Sequence, residues 1–469
     1  MKKLLLALVI VALVAAPAFA SVQNVKVSGS IDSTLLNRQG FDLGAASASN
    51  ESDIRQNLFI TQTNLQVDAD LTDNVSATVA LINERVWGST ASEGDTGIDL
   101  QLAYVTLREM LYSPLTVVIG RQALAYGNSL IVSSASTSAG IGNSGLSSTA
   151  NDLSGQTGLD AVRAILDYDP LTVDIVYARL SSGVVTDAAG DPTNNDDTNL
   201  YGINATYELG DDKDTQVQAY VFAKRSRTLN GAANLGAKTD TVYVPGILVS
   251  TNPLEDVTLS VEYAHQSGTR ASTDALDNQQ RDADAAQLIA SYAVPVLEDY
   301  NPVLQYSYTF TSGENDLDTV NASGNNGVNN EIITGWDPML ENQGKGTIYN
   351  ALFALTNCQI HSISLTTNPI EDLTATLSWT GLWTAQKIHD SGDVDLFQPD
   401  GSATASTVNN VGVAGKDEIG NEIDLVLTYA YTEDVTIGAN LGWFFPGDGI
   451  DADHQEVASQ ALINVNVDF

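Results

Sequence analysis

The stretch "ALINVNVDF", residues 461–469, decides how the rest of the chain is read. Ala461, Ile463, Val465, Val467 and Phe469 share one parity, and Asn464, Asn466 and Asp468 share the other. Leu462 is the single exception. Period-two alternation describes a strand with one apolar and one polar face. Chain ends ordinarily fray into polar residues, whereas this one stops on an aromatic in mid-pattern. The sequence therefore predicts a terminal strand that is paired along its length.

The opposite end predicts export. Lys2 and Lys3 precede an apolar run, Leu4 to Ala16, followed by Pro17 and Ala18-Phe19-Ala20. A basic start, an apolar stretch and a small-x-small cleavage signal predict a secretory signal peptide over 1–20. The apolar run is shorter than the roughly 18 residues of a spanning helix, and no later run approaches that length. Residues 21–469 are then one unit, without a composition break that would mark a linker. A single cysteine, Cys358, excludes an intramolecular disulfide framework. Acidic residues number 58 against 20 basic ones, a net charge of −38. Nucleic acid is a poor partner for such a chain, because phosphate binding needs clustered Lys and Arg. The acidity serves solubility in a salty medium, or attracts cations.

Connections between the alternating segments come in two kinds. Eight are tight: "LTDN" 71–74, "YSPL" 112–115, "YDPL" 168–171, "LGDDKD" 209–214, "TNPLED" 251–256, "LEDYNP" 297–302, "TNPIED" 367–372 and "YTED" 431–434. Pro, Asn and Asp supply preset φ angles and side-chain bonds to the backbone there. Nine are long and polar: 39–54, 88–98, 128–157, 182–197, 228–237, 268–282, 313–348, 387–420 and 446–458. The two kinds alternate strictly, and 17 connections separate 18 strands. An even number of antiparallel strands, with short turns at one end and long loops at the other, predicts an up-and-down transmembrane β-barrel of the outer membrane. A soluble β-solenoid would instead show repeating units of roughly 20–50 residues.

Strands such as 373–383 and 435–445 alternate as a barrel wall requires, with Tyr112, Tyr168, Tyr300, Trp383 and Trp443 placed as interfacial anchors. Because lipid tolerates only closed backbone pairing, the last strand must join the first, expected around Val25–Leu35. The polar parity then faces a lumen wide enough for a water-filled channel. Pore-lining candidates are Arg121, Arg163, Glu262 and Asp424, which could equally be wall-to-wall ion pairs that hold register. Arg121 shares parity with Leu115, Val117 and Ile119, so a lumen position there requires a bulge or a snorkelling side chain.

Four motifs carry a family resemblance: "GRQALAYG" 120–127, "GLDAVRA" 158–164, "GNEIDLVLTY" 420–429 and "WFFPGD" 443–448. In them the chain resembles the alginate-export family of outer-membrane porins. The resemblance implies a monomeric 18-stranded barrel and a pore for sugar polymers or small solutes. Arg121 and Arg163 match motif positions and would contribute a basic constriction. A polyanionic cargo needs several lumenal cations, and this acidic chain offers few, so the cargo stays open. Phe469 resembles the terminal aromatic that the outer-membrane assembly machinery recognises.

Three function classes follow. The first is a porin that passes small hydrophilic solutes or saccharides by diffusion or export. The second is a structural or adhesive barrel with acidic, cation-binding loops and no open pore. The third, an enzyme in the barrel, has no nucleophile motif beside His265, His361, His389 or His454, so the expectation is no enzyme and no cofactor. In the end loop, Asp448, Asp451 and Asp453 form a weak calcium candidate without EF-hand spacing. Loop 128–157 is long and nearly uncharged, and either constricts the barrel from inside or covers its mouth.

Overall fold

The computed structural model describes residues 24–41, 43, 55–88, 97–134, 150–186, 192–228, 238–270, 279–314, 332–343, 347–388 and 412–469. The expected signal peptide, 1–20, lies outside the described residues. Eighteen strands form the wall, in chain order: β1 Asn24–Gln39, β2 Arg55–Thr72, β3 Val75–Val86, β4 Asp99–Leu107, β5 Leu115–Gln122, β6 Leu159–Asp167, β7 Leu171–Thr186, β8 Pro192–Glu208 and β9 Gln216–Thr228. There follow β10 Lys238–Leu254, β11 Val257–Arg270, β12 Gln279–Ala293, β13 Val303–Thr311, β14 Cys358–Ile370, β15 Leu373–Thr384, β16 Glu418–Ala430, β17 Val435–Pro446 and β18 Ala458–Asp468. Each pairs antiparallel with its chain neighbours, and β1 pairs with β18, so the sheet closes. One additional two-residue strand, Ile332–Ile333, pairs in parallel with Gln280 and Arg281 at the end of β12 that β13 does not reach.

The seam runs from Ser30↔Asp468 to Gln39↔Ser459. Beyond it, Gly29 and Phe469 exchange both backbone hydrogen bonds, at 2.8 and 2.9 Å. The register lies nearer the extracellular end of β1 than the expected Val25–Leu35. Residues 24–28 of β1 pair with β2 alone, the stagger that strand tilt imposes on a closed barrel.

One parity of every strand meets lipid. Val27, Val79, Ile119, Ile203, Ile247, Val261, Leu377 and Ile463 are exposed along this outer face. Tyr112, Tyr168, Tyr207 and Tyr300 ring the tight-turn end, and Tyr201, Tyr243, Tyr263 and Trp443 stand toward the long-loop end. Such girdles flank the apolar band of outer-membrane barrels. The twin turns "TNPLED" and "TNPIED" adopt one solution, because both pairings shift register at the same place, between Thr251 and Leu254 and between Thr367 and Ile370. The expected loop 182–197 is corrected: pairing continues to Thr186 and resumes at Pro192. The β7–β8 backbone ladder therefore runs farther than the hydrophobic alternation of the sequence indicates.

The ring of Phe469 covers Gly29, where an added Cβ would stand 2.7 Å from the ring edge. Replacing Phe469 with Asp removes that cover and should lower the folded, heat-modifiable barrel in outer-membrane fractions. Unchanged folded levels on gel electrophoresis without boiling would refute this.

Candidate functional site in the lumen

The inward parity is not uniformly polar. Val176, Ala178, Leu200, Phe222, Val242, Val244, Ala264 and Ala285 point inward on β7–β12, and all are buried. What buries them is chain folded back into the barrel. Segment 123–134, following β5, brings Leu124, Tyr126, Leu130, Ile131 and Val132 against this wall. From between β13 and β14, segment 332–343 and the short helix α1, Ile348–Leu352, bring Trp336, Met339, Leu340, Ile348 and Leu352. A second cluster seats Ala150 and Leu153 on Leu36, Ile60 and Leu462. Leu462, the exception to the terminal alternation, is thus a loop seat.

The two folded-in segments hold each other. Ser133 N donates to Leu340 O at 2.6 Å, Leu340 N to Ile131 O at 3.1 Å, and Asn342 N to Ser129 O at 2.9 Å. Loop 128–157 therefore enters the barrel at both described ends; its residues 135–149 lie outside the described residues.

Wall side chains anchor these segments chiefly by charge. Arg38 of β1 grips Asp152 with two hydrogen bonds, at 3.0 and 2.5 Å, both side chains almost fully buried. Glu84 of β3 accepts Gly155 N at 2.7 Å and Ser154 Oγ at 2.9 Å. Glu262 of β11 accepts Asn128 N at 2.9 Å and the Tyr220 hydroxyl at 2.7 Å. Glu422 of β16 accepts the backbone N–H groups of Ile348 and Tyr349, at 2.9 and 2.7 Å. Those are free amides of the first turn of α1, and a carboxylate stabilises them. Asp337 receives Arg281 at 2.9 Å and Lys224 at 3.6 Å, while Gln266 bonds both backbone groups of Asp337. Gly202 and Gly246 make room for this arrangement, since Cβ atoms there would stand 2.4 Å from the rings of Phe222 and Tyr220. Burial, then the Asp174 carboxylate, pushes the hydroxyl of Tyr126 above the usual tyrosine range, and it donates to Asp174 at 3.1 Å.

The candidates sort as follows. Arg163 faces inward, but it is ion-paired with Asp174 and lies over the Tyr126 ring, 5.8 Å from its centroid. Glu262 faces inward and is wholly buried beneath Asn128, so it anchors a loop and does not line open water. Asp424 of β16 lines a polar chamber. Arg121 is corrected: it shares the outward parity of exposed Ile119 and reaches Asp160 on the outer side of β6, at 3.7 Å. Strict alternation persists through Gly120, so no bulge turns Arg121 inward.

The end-loop acids are engaged locally. Asp448 pairs with Lys416, and Asp451 caps the single turn Ala452–His454 by accepting Asp453 N at 2.9 Å. Among the described residues, no three His, Cys, Asp or Glu side chains are grouped to hold a metal. His265 sits on the outer face with Asp284 and Tyr263, away from the lumen.

Among the described residues, a polar chamber and a second one with a more apolar lining lie between segments and wall. One of about 300 Å³ is bounded by β12–β16 and by Asn128, Asn342 and Gln343. The other, of about 270 Å³, lies beside the seam and includes Asp32, Gln62, Asn440 and Asn464. Among the described residues, Asp32 and Asp424 are the only charged side chains in their linings.

With this geometry in view, the sequence profile described as "Alginate export" matches residues 38–464. The chain belongs to the alginate-export family. Solved outer-membrane barrels share its fold at low identity. OpdK of Pseudomonas aeruginosa covers 96% of this chain over 99% of its own length, at 9% identity and a TM-score of 0.54. OpdQ of the same organism gives 12% identity and 0.53, covering 96% of this chain and 98% of its own. A BenF-like porin of Pseudomonas fluorescens gives 9% and 0.54, covering 96% and 100%. No curated protein matches the chain. This family member is an outer-membrane β-barrel channel whose lumen is narrowed by its own loops.

The side chains the sequence reading missed are these anchors: Arg38, Glu84, Arg281 and Glu422. The available signal was apolar residues at both parities, as in "VYVPGIL" 242–248. Cutting one anchor tests the arrangement. Arg38→Ala leaves Asp152 buried without its cation, a loss of about 3–5 kcal/mol. The 150–156 segment should detach, seen as new protease cleavage within 128–157 in an intact barrel. An unchanged cleavage pattern would dismiss the anchor role.

Proposed function

We propose that the barrel conducts small hydrophilic solutes, neutral or cationic, by passive diffusion through the passages its folded-in loops leave open. The observation that carries this reading is the charge of the lumen. Among the described residues, the basic side chains seated against those loops are paired: Arg38 with Asp152, Arg163 with Asp174, Arg281 with Asp240 and Asp337, and Lys224 with Asp337. The chambers themselves present Asp32 and Asp424 with amides and hydroxyls. An acidic, low-dielectric passage attracts cations and repels anions. Alginate, the polyanion in the family's name, and the carboxylate vanillate, with which OpdK was solved, would both meet like charge.

The barrel works without catalysis, as a monomer, and is exported by way of the 1–20 signal with Phe469 presented to the assembly machinery. Calcium at Asp448, Asp451 and Asp453 has little support, because Lys416 already occupies Asp448.

Planar-bilayer recording of refolded protein tests the reading. Stable open-channel currents are expected, with a reversal potential in a potassium chloride gradient that marks cation preference of a few-fold. Persistent silence at several voltages would favour the plugged, structural barrel. Anion preference would mean that the paired arginines still set the field.

A further inference from the structure

A further cavity, of about 260 Å³, lies inside the barrel at the long-loop ends of β14, β15 and β16. Helix α1 and the segment 353–357 that follows it close its other side. The wall side is apolar by register. Cys358 stands opposite Thr384 and Ile360 opposite Leu382 on the β14–β15 ladder, all on the inward parity. Toward β16 the ladder slips, because Leu382 pairs with Gly420 and Trp383 with Glu418. The slip leaves Ile419 as an extra, unpaired residue, a bulge of the kind that re-aims a side chain. Ile419 is turned into the barrel and buried with Leu382. Gly420 permits this: its φ is +155°, and a Cβ there would run into Phe445 O. Across the cavity stand Tyr349, Phe353 and Leu355, with Phe353 braced on the Phe444 ring at 5.6 Å between centroids. Tyr349, Phe353 and Cys358 pack against the buried core yet keep part of their surface uncovered.

The polar side chains of this lining are committed to protein. Asn350 Nδ2 donates to Thr347 Oγ1 at 2.6 Å, and Thr356 Oγ1 to Trp336 O at 2.5 Å. Asn357 donates to Gln386 O at 3.2 Å and accepts from Gln386 N at 2.7 Å. Among the described residues, no Lys, Arg, Asp or Glu lines the cavity.

We propose that this cavity is a binding site for a small, neutral aromatic molecule. An apolar cavity of about 150 Å³ takes up one benzene, and the larger volume here leaves room for a second fused ring. A charged ligand would lose its water without gaining a counter-ion. A sugar would surrender water from many hydroxyls to a lining whose polar groups are already engaged. A flat ring gives up only the hydration of its carbon surface. The site adjoins the polar chamber, with which it shares Tyr349 and Ile360. It goes beyond the hydrophilic solutes of the conduction reading and does not depend on conduction.

Calorimetry on folded, detergent-solubilised protein, with the heats of protein-free micelles subtracted, compares 2-naphthol with 2-naphthoate at neutral pH. Saturable 2-naphthol binding is expected, with 2-naphthoate about tenfold weaker or more. Leu382→Trp and Cys358→Trp each fill the cavity from the wall. Each should raise the 2-naphthol Kd about tenfold or more, because ligand and indole cannot share the space. Heat-modifiable migration verifies the barrel in each variant, and the comparison of the two ligands on the unaltered protein requires neither. Three results would overturn the site: no saturable 2-naphthol binding to a folded barrel, 2-naphthoate binding as tightly, or a Kd unmoved in both folded variants. Bilayer silence with 2-naphthol binding intact would sink the channel reading alone.

Discussion

Everything in this molecule depends on the pairing of β1 with β18. In hydrocarbon each backbone N–H or C=O left without a partner costs several kcal/mol, so an open eighteen-stranded sheet would leave two intolerable edges. Residues Ser30–Gln39 and Ser459–Asp468 remove both edges, and Gly29 and Phe469 extend the ladder by one more pair. Closure fixes which parity faces lipid on every strand, because a slip of one residue would exchange the faces. The lumen's chemistry is therefore a consequence of the seam. Arg38 stands inside and Ile463 outside because of the register set there.

Once closed, a barrel of this girth encloses more space than its wall side chains fill. The chain fills part of it with its own connections, at two kinds of seat. Apolar wall residues such as Phe222, Val242 and Val244 take Leu130, Ile131 and Leu340 out of water. Carboxylates such as Glu262 and Glu422 satisfy backbone amides that folding-in would otherwise strand. Burial of these apolar faces stabilises the folded-in segments. The carboxylates decide placement, since a buried backbone N–H tolerates few alternatives.

The strand count, the two-ended segregation of connections and the seam were legible in the sequence, because lipid enforces alternation and turn chemistry is local. The twin "TNPxED" turns even shared their bulge. What alternation could not convey was the inward traffic of the loops, since a polar-parity residue reads the same whether it meets water or a folded-in segment. Glu262 and Arg163 have the parity of pore-lining residues and are anchors instead. Arg121 was the reverse case: its outward parity was correct as written, and its charge pairs with Asp160 near the membrane surface. The departures from alternation carried the missing information. Leu462 and the doubly apolar "VYVPGIL" each mark a place where a loop sits.

The tie between Ser133 and Leu340 also bears on mechanics. It joins a loop rooted between β5 and β6 to one rooted between β13 and β14, eight strands away around a ring of eighteen. Those roots are nearly opposite, and both segments lie against β7–β12 between them, so the tie acts as a strap along that half of the inner wall. A hollow tube under lateral membrane pressure flattens along its softest diameter, and this one is braced by its own chain. The cross-section presented to a passing solute is held by the same contacts that narrow it.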